Sequence, residues 1–253
     1  MAVYKNKGIV LRSIRYGEAD RIIELYTQEA GLISAIAKGI RRTKSRFGGR
    51  LEPLSCVEFL AYKGRTLDTI TQVEVLRSFR GVRENLARLK AASGMVATVK
   101  ALSGGDEADR RVFNLLYHAL DALEGREEGM KSIEAAFGLK LSVLAGYTPR
   151  LDVCVSCDRR PDEPANENLT CFFAPSLGGV LCADCRPGTS DSFPLLPETL
   201  AALQDLVVRP VREAVMEEKH EESVRRVVSS HVLAHAPGNT VLASDRRRPL
   251  RLT

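Results

Sequence analysis

Four cysteines fall in two pairs, Cys154-x-x-Cys157 and Cys182-x-x-Cys185, with 24 residues between the pairs. Four thiolates in two such knuckles match one tetrahedral Zn²⁺, and a Cys₄ shell leaves no open coordination position for catalysis. The gap is slightly longer than the common spacing. The alternative is four free structural or redox thiols. A zinc ion with four thiolates carries a charge of about −2, and Arg159, Arg160 and Arg186, which follow the knuckles, are placed to offset it. Cys56 and Cys171 stand outside the pairs and are expected to be buried thiols.

The second candidate is the stretch AKGIRRTKSRFGGRLEP, from Ala37 to Pro53. It carries Lys38, Arg41, Arg42, Lys44, Arg46 and Arg50, and no Asp or Glu occurs from Ala30 to Leu51. Six unopposed cations among Gly39, Gly48 and Gly49, which allow close backbone approach, suit a polyanion; a solvated surface loop is the plain alternative. If all six met single-stranded phosphates, log K against log salt would have a slope of about −4. Between about 50 and 200 mM salt that is a loss of roughly 250-fold. Phe47 lies among the cations as a candidate to stack on a base, or else as an apolar anchor for the loop. With no Trp and few other aromatics (among them Tyr16, Tyr26, Phe59 and Tyr62) in the first domain, binding is expected to rest on the backbone and to be weakly sequence-selective.

Other constellations carry less. His231-x-x-x-His235 could hold a metal, but both fall on the apolar stripe of Val224, Val227, Val228 and Val232, so core histidines are expected. The run Glu217–Glu222 reads as a solvated face or helix junction. There is no G-x-x-x-x-G-K-[ST] loop, no H-E-x-x-H, no G-x-S-x-G elbow and no carboxylate cluster for a two-metal nuclease, so no enzyme activity is expected.

The elements that position these residues change character along the chain. Residues 1–80 hold 15 Lys and Arg against 8 Asp and Glu, a balance of +7, whereas the remaining 173 hold 22 against 24, a balance of −2. This asymmetry points to a nucleic acid or anionic surface as partner of the N-terminal third. Gly8–Ser13, Asp20–Thr27, Leu32–Ala37, Val57–Tyr62 and Leu67–Leu76 read as strands. Five strands joined by short turns suit a barrel of the oligonucleotide-binding (OB) type, with the basic loop joining the third and fourth. Beyond Phe79 the period becomes helical: Leu86, Leu89, Val96 and Val99; then Val112, Leu115, Leu116, Ala119, Leu120 and Leu123; then Ile133, Phe137, Leu141 and Leu144. Asp106 and Asp109 are placed to complement a helix dipole. The expected class is α+β: an OB-type barrel at 1–80, a helical domain at 81–149, a Cys₄ zinc module at 150–188, a second helical part at 189–235 and a basic tail, with Arg246–Arg248, at 236–253. MAVYKNKGIV lacks the apolar core of a signal peptide, and no stretch approaches the roughly 18 apolar residues of a membrane span. A cytoplasmic protein is expected.

The chain resembles the bacterial RecO family of recombination mediators. The resemblance rests on GIVLRSIRYGEADRIIELYTQEAGLISAIAKGIRR, on LSVLAGYTP before the first knuckle, and above all on FFAPSLGGVLCADC, with Phe173, Gly178, Gly179, Cys182 and Cys185. It spans nearly the whole chain. It implies an OB domain, a helical domain and a zinc module, with DNA contacts in the region of Lys38, Arg41 and Arg42. It implies binding to single- and double-stranded DNA, annealing of complementary strands, partnership with RecR and with the C-terminal tail of single-stranded DNA-binding protein, and help in loading RecA, at the nucleoid. Some members of the family lack the zinc cysteines; this chain has all four. Composition alone also admits an RNA-binding or ribosome-associated OB protein with a structural zinc ribbon.

Overall fold

A computed structural model of the protein describes residues 2–42, 45, 47–103, 108–161 and 171–236. Lys44, Arg46, Asp106 and the Arg246–Arg248 tail lie outside the described residues. The chain divides into two compact units, one of Met1–Val96 with Ser103–Met130, the other of Ala97–Leu102 with Lys131–Thr253.

In the first unit, β1 (Val3–Tyr16), β2 (Asp20–Thr27), β3 (Gly31–Ala37), β4 (Cys56–Tyr62) and β5 (Asp68–Arg77) form a barrel closed in the order β1-β2-β3-β5-β4. The pairings are antiparallel except β3 with β5, which run parallel through Ala35–Asp68 and Ile36–Thr69. β1 is longer than the apolar run Gly8–Ser13 indicates. Its first half pairs with β4 and its second with β2, and a register shift between Val10 and Arg12 separates most of the two partnerships. Such a bulge bends a strand sharply, which lets one strand serve two neighbours. Val10, Ile23, Leu25, Ala35, Ala37, Val57, Phe59, Ala61 and Ile70 fill the interior, and Phe47 and Leu51 reach in from the β3–β4 loop.

The barrel runs into α1 (Arg80–Arg83), α2 (Leu86–Leu102) and α3 (Arg110–Gly125). Asp109 caps α3 by accepting from the Arg111 N–H at 2.7 Å, and Val112, Phe113, Leu116, Ala119, Leu120 and Leu123 form its buried stripe. Arg77, at the end of β5, bonds to Asp121 and Glu124 of α3 at 3.0 and 3.1 Å. Phe79 packs edge-on to Tyr117.

The second unit is built around α4 (Met130–Leu144), which is buried on nearly every side from Ser132 to Ser142. At Gly138 an added Cβ would lie 2.6 Å from Val228 Cγ1 of α6 (Glu221–His235), so the two helices approach more closely than any side chain there permits. β6 (Cys171–Ala174), β7 (Gly179–Leu181) and β8 (Phe193–Leu195) form a small antiparallel sheet in the order β7-β6-β8, followed by α5 (Pro197–Val208). Among the described residues no helix is long and apolar enough to cross a membrane.

Candidate metal centre and nucleic-acid interface

Backbone pairing brings the two cysteine knuckles together. Val180 N–H donates to Arg150 C=O and Val155 N–H to Val180 C=O, each at 2.9 Å. The first knuckle is thereby laid along β7, whose next residue is Cys182. Gly178 and Gly179 make this possible. Gly178 has φ +70°, and a Cβ on Gly179 would lie 2.5 Å from Arg150 O and from Val155 Cγ1. The first knuckle turns tightly, with Asp158 N–H donating to Cys154 C=O at 3.0 Å and Asp158 at φ +61°. The second turns on a 3-10 segment, Ala183–Cys185.

As a result the Sγ atoms of Cys154, Cys157, Cys182 and Cys185 all lie within 4.8 Å of one another, close enough to hold one metal ion. The surroundings are built for thiolates. Arg159 donates to Cys157 Sγ at 3.4 Å and to Cys182 Sγ at 3.8 Å, and is itself held by Asp184 at 2.7 Å. The Cys182 N–H donates to Cys154 Sγ at 3.4 Å. The Arg159 guanidinium pulls the Cys157 thiol down to about 6, while hydrogen bonding with the Cys182 and Cys157 sulfurs pushes Cys185 up to about 12. Four thiols this close cannot all ionise without a cation between them. Of the other arginines, Arg186 lies over the Phe172 ring at 4.5 Å and Arg160 is exposed. Cys56 and Cys171 are buried, and burial lifts each thiol to about 11.

Of the pair on the last helix, His231 is buried in the second unit and His235 is half-buried. His231 donates from Nε2 to Tyr147 C=O at 2.8 Å, which leaves Nδ1 unprotonated, buried and without a hydrogen-bond partner. His235 donates from Nδ1 to His231 C=O at 2.9 Å. His220, at the junction leading into α6, is also buried and pairs with Thr199 Oγ1 at 3.1 Å. The Glu217–Glu222 run is therefore a junction with a buried histidine inside it, which its charges concealed.

Of the basic-loop residues within the described part of the chain, Lys38, Arg41, Arg42 and Arg50 are exposed. The loop starts on fixed ground. Gly39, at φ +70°, donates its N–H to Asp20 Oδ1 at 2.7 Å, and Arg41 donates from Nη1 to the Glu18 carbonyl at 2.9 Å. Arg41 thus ties the loop to the β1–β2 turn as well as presenting charge. One expectation is corrected here. Phe47 is 1% exposed and packs in the barrel interior with Leu51 and Phe59, so its ring has no face for a base and serves as the anchor. Pairing of β1 with β2 adds two cations that the run of the sequence did not group with the loop. Arg15 lies directly opposite Arg21, and Arg21 opposite Ala37, one residue before Lys38. The signal was available: two arginines placed symmetrically about the three-residue turn Gly17–Ala19, one pair outside Tyr16 and Asp20.

Profiles of the family described as Recombination protein O match the chain in two parts, its N-terminal domain over residues 1–79 and its C-terminal domain over residues 83–240. The DNA repair protein RecO of Rubrobacter xylanophilus is 62% identical over 246 residues, 96% of each chain. That of a Nocardioides species is 38% identical over 81% of this chain and 82% of its own. That of Alkaliphilus metalliredigens is 31% identical over 91% and 93%. Matched in both its barrel and its cysteine-bearing half, and aligned almost end to end with such relatives, the chain belongs to the RecO family.

Proposed function

We propose that this protein is a recombination mediator of DNA repair. It binds single- and double-stranded DNA, anneals complementary strands and, with RecR, helps to load RecA on strands coated by single-stranded DNA-binding protein. Membership of a family whose relatives are named DNA repair proteins supports the repair setting. What supports DNA binding is the exposure of Lys38, Arg41 and Arg42 together with the pairing that sets Arg15 opposite Arg21, and Arg21 opposite Ala37, next to Lys38. The barrel's closure through a parallel β3–β5 pairing supports an OB-type reading, and OB barrels bind single strands along charged grooves.

The proposed work is physical rather than covalent. Two strands repel each other, and the coating protein blocks their pairing. A surface that neutralises phosphates lowers the repulsion. Docking on the acidic tail of the coating protein brings the mediator to covered DNA in the cytoplasm, at the nucleoid. Base pairing then supplies the driving force, so no ATP is consumed and the protein acts without being an enzyme.

The ion proposed for the cysteine centre is Zn²⁺. Zn–S bonds of about 2.3 Å in a tetrahedron place sulfurs about 3.8 Å apart, and Cys157 Sγ lies 3.7 Å from Cys182 Sγ. When bound, zinc supplies a cross-link between the knuckles rather than a reactive centre.

The test is annealing of complementary strands already coated with single-stranded DNA-binding protein, without ATP. Accelerated pairing is expected. DNA binding with no acceleration would overturn the mediator reading, and a preference for RNA over DNA would move the assignment to the RNA-binding class.

A further inference from the structure

We infer that Tyr16 is a stacking platform for an unpaired base, at the tip of the β1–β2 hairpin, and gives the barrel its preference for single strands. The inference rests on the nucleic-acid reading above and names the contact that distinguishes a single strand from a duplex.

Phe47 is withdrawn into the core, so an aromatic contact has to come from elsewhere. Tyr16 is 51% exposed, at the last position of β1 before the turn. Its place among the cations follows from the pleat, in which successive residues face opposite sides of the sheet. Arg21 bonds to Ser13 Oγ at 3.1 Å, so these two share the face that carries the core residues Ile23 and Ala37. Arg15, opposite Arg21, belongs to that face as well. Tyr16 belongs to the other face. It pairs across the hairpin with Asp20, whose Oδ1 accepts from the N–H of Gly39, the residue after Lys38. The ring therefore stands on the face opposite Arg15 and Arg21, at the end of the hairpin to which the start of the basic loop is tied. The platform is fixed in place, because Gly39 N–H on Asp20 and Arg41 on the Glu18 carbonyl tie loop and hairpin together.

The charges select what packs on the ring. Asp20, opposite Tyr16, and Glu18, in the turn, put negative charge into the hairpin, which repels a phosphate there. A neutral base meets no such repulsion, while the phosphates on either side of it are drawn to the cations of the hairpin and the loop. A duplex offers no free base face to the ring, so stacking on Tyr16 discriminates in favour of single strands.

The experiment compares the full-length protein with Tyr16→Ala and Tyr16→Phe, using a single-stranded oligonucleotide carrying 2-aminopurine and a duplex of the same length, over a range of salt. For Tyr16→Ala we expect single-strand affinity to fall about 5- to 150-fold, with loss of the 2-aminopurine quenching on binding. Duplex affinity stays within about twofold, and the salt slope stays unchanged because no phosphate contact is lost. Tyr16→Phe keeps the ring and both signals. Equal loss on duplex and single strand, or no loss on the single strand, overturns the Tyr16 assignment while leaving DNA binding by the barrel intact. If the unaltered protein binds neither oligonucleotide, the nucleic-acid reading falls, and this inference with it.

Discussion

Individual residues settle matters that residue type left open. Phe47 sits in a run of cations, yet its ring lies in the barrel core; the sequence offered both roles, and nothing short of the fold distinguishes them. Replacing Phe47 with Ala is therefore expected to cost about 3–5 kcal/mol of stability, measured by urea unfolding. At temperatures where the variant remains folded, its salt slope for DNA should match that of the unaltered protein; a reduced slope would return Phe47 to the interface. His231 is the second case. Burial lowers its pKa from the ordinary 6.5, so the unfolded chain takes up the proton first. Its contribution to stability is complete above about pH 6.5 and is lost as pH falls below that value. Unfolding midpoints measured from pH 7.5 to 5 should fall, and His231→Gln should flatten the decline. An identical pH profile in the variant would show that the buried Nδ1 is not what limits acid stability.

Elements were legible where a period ran long enough. β2 occupies the expected Asp20–Thr27, and the α3 stripe from Val112 to Leu123 is buried as read, except that Leu115 is only half-buried. The first half of β1 was not legible, because its inward positions are Tyr4, Asn6 and Gly8 rather than aliphatics, and Asn6 is buried with its Oδ1 on the Lys7 N–H. β6, β7 and β8 are three or four residues each, too short for any period to show. The cysteine spacing announced the cluster of four thiols, but the reason for Gly178-Gly179 lay in the backbone contact between β7 and Arg150. That contact yields a prediction at this scale. Gly179→Ala should cost about 1–3 kcal/mol by overpacking and should weaken metal retention, read as metal per chain after dialysis against a mild chelator. Removing the metal from the unaltered protein should in turn strip hydrogen-exchange protection from the Val155 and Val180 amides, which join the knuckles, while the β2–β3 amides stay protected. Unchanged protection at Val155 and Val180 would mean that the fold holds the knuckles without an ion.

At the scale of the whole molecule the charge is divided, +7 over residues 1–80 against −2 over the rest, and the fold concentrates part of that excess where it opposes folding. Arg15 and Arg21 face each other directly across the β1–β2 hairpin, and like charges so placed destabilise a sheet, by roughly 0.2–1 kcal/mol. A hairpin selected for stability alone would carry an opposite charge or a β-branched residue at one of the two positions. The same repulsion becomes useful when a phosphate arrives, because a polyanion that neutralises both guanidinium groups relieves it on binding. Stability and affinity should therefore move in opposite directions at this pair. Arg15→Thr with Arg21→Thr should raise the unfolding midpoint slightly and lower single-strand affinity, with the log–log salt slope shallower by about 1.4, two contacts at about 0.7 each. Adding Lys38→Ala and Arg42→Ala should bring the total reduction to about 2.8. A double variant that gains stability but keeps the full slope would place the phosphates elsewhere on the barrel. One that loses both would make the arginines part of the scaffold, and the excess charge of the N-terminal third would then need another partner.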